Sequence, residues 1–123
     1  MNLDPFALVR ELAQTLYEKR AKNVIALDIK TSPTLTDYLL IADGNVEGHV
    51  VSMACALQDL MKQRRHPLAY EEGMEHGDWV VLDFFEIVVH LFIPRMRQKY
   101  QLERLWSDGE IMDIEPHISS NTR

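Results

Sequence analysis

Apolar residues recur along this chain with two periods, and the switches between them mark out its elements. Phe6, Val9, Leu12, Ala13, Leu16 and Tyr17 repeat at helical spacing. Asp4 is placed to cap the open amides, Pro5 fits the first helical position, and the basic run Lys19-Arg20-Ala21-Lys22 suits a helix C-terminus. The period then falls to two. From Val24 to Ile29 the odd positions are large aliphatics while the even ones grade into Asp28 and Lys30, which predicts a strand. Ser32-Pro33 punctuates the chain, and Leu35 to Ala42 predicts a second strand stopped by Asp43-Gly44-Asn45. From about Val46 to Arg65 the helical period returns, with Val50, Met53, Ala54, Leu57, Leu60 and Met61 in one stripe that reads as core. Pro67 blocks continuation, and Leu68 to Glu71 is short enough for a third strand. Gly73 and Gly77-Asp78 bracket a loop before Trp79–Asp83 and Ile87–Ile93, which predict an antiparallel hairpin ahead of a short helix. This order predicts a single α/β domain: a mixed, mainly five-stranded sheet with helices packed on it.

Parity within the hairpin separates two unequal faces. A turn of two residues, Phe84 and Phe85, or of four, places Trp79, Val81 and Asp83 beside Val88, His90 and Phe92. The opposite face, Val80, Leu82, Ile87, Val89, Leu91 and Ile93, is wholly aliphatic and suits burial at about 25 cal/mol per Å². The first face combines an indole, an imidazole and a carboxylate with hydrophobic groups, the mixture of rigid anchors and polar groups found where partners dock. The alternative is that Trp79 caps a secondary core and His90 is a hydrogen-bonded interior residue. A tight turn wants Gly, Asn or Asp at positive φ, so Phe84-Phe85 predicts a longer one.

Composition narrows the function. The 123 residues are 46% hydrophobic and 26% charged, as in an ordinary soluble domain. No apolar run approaches the roughly 20 residues a membrane span needs, and the N-terminus has no targeting pattern, so a cytoplasmic protein without membrane partners is expected. Thirteen Lys and Arg against nineteen Asp and Glu leave a net charge of −6, which disfavours direct nucleic-acid binding and suits a basic protein partner. The lone Cys55 reads as a small buried hydrophobe. Five histidines, His49, His66, His76, His90 and His117, lack metal-ligand spacing, and no phosphate loop, nucleophile elbow or dinucleotide fingerprint occurs. No cofactor or metal is therefore expected, and Asp28, Asp37 and Asp83 read as solvated or capping carboxylates.

Several strings in order resemble the ribosomal silencing factor family, also called Iojap-related. They are Thr36-Asp37-Tyr38-Leu39-Leu40-Ile41-Ala42, Glu72-Gly73 before Gly77-Asp78-Trp79-Val80-Val81-Leu82-Asp83, Val88-Val89-His90-Leu91-Phe92, and Tyr100-Gln101-Leu102-Glu103-Arg104-Leu105-Trp106. The resemblance spans roughly Phe6 to Trp106. It implies a nucleotidyltransferase-like fold that has lost catalysis, and a translational repressor that binds the large ribosomal subunit through ribosomal protein fourteen of the large-subunit series. Such a factor obstructs subunit joining when nutrients are scarce. The expected organisation is a domain over 1–106 and a flexible polar tail over 107–123. Docking is expected through Trp79 as central anchor, Asp83 and Glu71 as partners for Lys or Arg, and Tyr38, Val81, His90 and Phe92 around them. Tyr100, Leu105 and Trp106 are read chiefly as packing at the sheet edge. Two departures stand out: Gly48 where the family pattern suggests Arg, and Phe85 in a turn where the family usually has Gly. The rival reading is a residual magnesium- and nucleotide-dependent transferase using Asp28, Asp37 or Asp83. Self-association through an exposed apolar face or strand edge is compatible with the first reading.

Overall fold

Leu8, Val9, Leu12, Ala13 and Leu16 form one buried stripe of α1 (Pro5–Glu18), and Val50, Met53, Ala54, Leu57 and Met61 form that of α2 (Glu47–Gln63). Both stripes press onto the same side of a six-stranded sheet. In this computed structural model, which describes residues 4–30, 36–101, 104, 110–112 and 114, the strands are β1 (Lys22–Asp28), β2 (Tyr38–Asp43), β3 (Tyr70–Glu72), β4 (Trp79–Asp83), β5 (Ile87–Phe92) and β6 (Glu110–Ile111). Their spatial order is β3-β4-β5-β2-β1-β6. Only β2 and β5 run parallel; the other four pairings are antiparallel, so the sheet is mixed, as expected. The parallel pair needs a long crossover, and α2 with β3 and β4 supplies it. Among the described residues, no helix is long and apolar enough to cross a membrane.

The two sides of the sheet are covered unequally. The main core lies under α1 and α2 and includes Leu40, Val80, Leu82, Val89 and Leu91, all fully buried. The other side holds a smaller cluster, Leu27, Ile29, Leu39, Ile41 and Phe92, against which Met96 of the seven-residue α3 (Pro94–Tyr100) packs.

Several expectations shift on inspection. The helix begins at Pro5, but the Asp4 side chain makes no cap; its carbonyl accepts the Leu8 N–H instead. Cys55 is exposed, because it points away from the stripe formed by Met53, Ala54 and Leu57. β3 starts at Tyr70, two residues later than Leu68, with all three of its residues exposed. Phe84 is not part of the turn. Its N–H bonds the Ile87 carbonyl and its ring is buried in the main core, leaving Phe85 and Glu86 as the turn. Asp83 pairs with Val88, the register of the four-residue alternative, so the face parity holds. Phe85 takes φ 77°, a region glycine favours, and the Asp83 carboxylate supports the turn by accepting the Phe85 N–H at 2.8 Å. Beyond residue 106, β6 pairs with β1 through Leu27↔Ile111 and Asp28↔Glu110, and Ile114 enters the main core. Ser32, Pro33, Leu35, Leu105 and Trp106 lie outside the described residues.

Candidate functional site

The loop before β4 sets the position of its first residue. Gly73 and Gly77 take φ 92° and 79°, and the Gly77 N–H closes on the Gly73 carbonyl at 2.8 Å. A Cβ at position 73 would collide with the Trp79 carbonyl oxygen, so only glycine fits here. Beyond this turn, Trp79 pairs with Phe92, Val81 with His90 and Asp83 with Val88. These six side chains share one side of the sheet, the one that α3 alone crosses among the described residues.

Trp79 is partly exposed and sits in an aromatic stack. Its ring lies 4.9 Å from Phe92 and 4.7 Å from Tyr100, centroid to centroid. The Trp79 indole N–H donates to Nδ1 of His90 at 3.0 Å. That bond requires an unprotonated Nδ1, and burial pushes the His90 pKa down to about 4, so the imidazole is neutral at physiological pH. Tyr100 stands at the outer end of the stack and is 42% exposed. Trp79 is therefore not sealed in the interior.

α3 is held over this side by a partly buried polar clamp. Arg97 Nη1 donates to Asp43 Oδ1 at 2.7 Å and to the Asn23 carbonyl at 2.9 Å, and Asn23 Nδ2 donates to Asp43 Oδ2 at 2.8 Å. Asp43 is 3% exposed. Beside the stack, Glu72, Gly73, His76, Asp78, Trp79, Val81 and Met96 line a cleft of about 320 Å³. Its acidic groups border an apolar floor, which suits a long basic side chain with an aliphatic stem.

The expected residues divide between two sides of the sheet. Trp79, Val81, Asp83 and His90 are brought together with partial exposure, whereas Phe92 is fully buried beneath them and acts as support. Tyr38 is elsewhere: its register opposite Ile87 turns it into the main core, 6% exposed, where its hydroxyl accepts from Lys30 Nζ at 2.8 Å. Glu71 is elsewhere too, since it pairs with Leu82 and accepts from Gln58 of α2. Glu72, one residue on, pairs with Val81 and faces the aromatic side. Extending the hairpin parity into β3 would have selected it. Tyr100 and Met96, four residues apart on α3, carry the helical spacing that signals a shared face.

Asp28 and His49, outside this face, have structural partners. Asp28 bonds Lys30, whose ammonium holds the carboxyl below its usual range. His49 accepts the Asn45 N–H at Nδ1 and so donates from Nε2 to the Lys19 carbonyl, joining the end of α1 to the start of α2. Among the described residues, no three His, Cys, Asp or Glu side chains are grouped to hold a metal ion. Nothing lies within contact distance of a Cβ built at Gly48, so a longer side chain there would project into open space.

Known proteins resemble the chain along nearly its whole length. The family described as "Ribosomal silencing factor during starvation" matches residues 3–123. The protein named ribosomal silencing factor RsfS from Zymomonas mobilis is 32% identical over 112 residues, covering 91% of this chain and 84% of that one. RsfS from Bacillus subtilis is 30% identical, covering 89% and 92%. A mouse protein named "Mitochondrial assembly of ribosomal large subunit protein 1" is 29% identical over 90% of this chain and 50% of its own length. A crystal structure of a Chromobacterium violaceum protein superposes with a TM-score of 0.83 at 27% identity, covering 85% of this chain and 88% of that one.

Proposed function

Because the chain belongs to the ribosomal silencing factor family, we propose that it docks on the large ribosomal subunit through the aromatic side of its sheet. The receptor in this reading is ribosomal protein fourteen of the large-subunit series, and the bound domain occupies space the small subunit needs, as a brake during nutrient limitation. The action is steric and requires no turnover. The observation that carries this reading is the partly exposed Trp79–Tyr100 stack beside Glu72 and Asp78 on a chain of net charge −6. Aromatic anchors supply desolvation energy, and the acids favour a basic protein surface. The reference to large-subunit assembly in the mouse relative's name supports the choice of subunit.

Truncating a central Trp at an interface commonly costs about 2 kcal/mol or more, roughly a thirtyfold loss of affinity. Trp79→Ala and Tyr100→Ala are each expected to keep the circular dichroism of the parent and to release the large subunit in co-sedimentation. They should also restore subunit joining measured by light scattering. Tyr100→Ala separates binding from folding, since Tyr100 is half exposed. Wild-type co-sedimentation by both folded variants would refute the placement. If a second copy of the chain uses the same side, large subunits should dissociate the dimer in the same scattering assay.

A further inference from the structure

The end of α2 opens a cavity on the helix-covered side of the sheet, away from the aromatic stack. Arg65 takes φ 57° and its N–H bonds the Lys62 carbonyl, while the His66 N–H reaches back to Met61. The chain turns sharply there, and His66, Pro67 and Leu68 run beside the helix they have just left. Between them lies a cavity of about 480 Å³, with the buried Met61 and Phe84 at its base and the exposed Lys62 and Arg65 at its mouth. Its walls are fixed. His66 Nε2 donates to the Phe84 carbonyl at 2.8 Å, and Gln58 holds Glu71 of β3 at 2.8 Å.

A largely apolar concavity of this size with a few polar groups is what small-molecule sites look like, their usual range being roughly 300–1,000 Å³. The two cations specify the ligand's charge. Among the described residues neither the Lys62 ammonium nor the Arg65 guanidinium makes a hydrogen bond or ion pair, although the chain is acidic overall. Two unneutralised cations above a greasy base select a ligand with an apolar body and one anionic head. We propose that this cavity binds a small amphipathic anion, its ring or acyl body against Met61, Leu68 and Phe84 and its carboxylate or phosphate between Lys62 and Arg65. The site is independent of ribosome docking, since Phe84 and Trp79 project from opposite sides of the sheet.

The aryl sulfonate 8-anilinonaphthalene-1-sulfonate is the probe. Titrated into the full chain, it should bind saturably at one site, weaken at least tenfold in Lys62→Glu/Arg65→Glu, and be unaffected by Tyr100→Ala. Competition by decanoate or by phenyl phosphate then assigns an acyl or an aryl body. The absence of saturable binding, equal binding by the folded charge-reversed variant, loss in Tyr100→Ala, or displacement by neither competitor would each overturn the proposal. If the double reversal does not fold, Lys62→Gln takes its place, with probe-induced shifts of the Met61 methyl resonance in the parent as the second readout; an unmoved methyl sinks the site.

Discussion

The Trp79 indole and the His90 imidazole hold each other in one chemical state. The indole can only donate, so the bond at Nδ1 exists only while His90 is neutral there. The native chain resists protonation until about pH 4, whereas in the unfolded chain the imidazole titrates near 6.5. Acid is therefore taken up first by the unfolded state. Stability from this residue is complete above pH 6.5 and declines between there and about 4, by as much as about 3 kcal/mol. Chemical denaturation across pH 4–8 should show this decline, and His90→Gln, which still offers Trp79 an acceptor, should flatten it. Side-chain alternation alone places Trp79, Val81, Asp83 and His90 on one face, as the strand pairing does. It fails for Tyr38 and Glu71 because both lie on strands outside the hairpin, and their sides are set by the register of β2 against β5 and of β3 against β4.

Helix ends show what an individual element conceals. α1 and α2 both terminate in the same motif: in α1 the Arg20 N–H bonds Tyr17 and the Ala21 N–H bonds Leu16, matching Arg65 and His66 in α2. The residue that must adopt left-handed geometry is Arg20 at φ 64° and Arg65 at φ 57°, where glycine is usual. The basic run correctly marked where α1 stops, but nothing in it signalled the left-handed turn. Arg20→Gly should remove that strain and raise stability by about 0.5–1 kcal/mol in urea unfolding, with unchanged slope. For α3 the decisive element is the clamp. Asp43→Ala would leave a largely buried Arg97 without its carboxylate, and it should cost about 3 kcal/mol or more while loosening Tyr100. Near-ultraviolet circular dichroism of the aromatic stack checks this directly. The strand order and the two-residue β6 were not legible either. Two residues have no period, and Ile114 reaches the core only because β6 pairs with β1.

At the scale of the whole molecule, hydrophobic period was enough to recover the element order and the α/β class. Each long element has a buried stripe or face that must meet another. What pattern could not reveal was how unequally the described residues cover the two sides of the sheet: two long helices on one side, seven residues of helix on the other. Charge acts at this scale as well. A body of net charge −6 approaching a basic surface is drawn in over distances comparable to the screening length. Association with large subunits should therefore slow markedly between about 0.05 and 0.3 M salt in stopped-flow mixing, with a smaller change in dissociation.

Arg97 reaches across 54 positions of sequence to Asp43 and 74 to Asn23. The outermost ring of the stack is consequently put in place only after the segments carrying Asn23, Asp43 and Arg97 have met. A copy in which those segments have not met cannot hold that ring in place, so under the proposed docking mode, competence to engage a ribosome doubles as an inspection of the factor's own integrity.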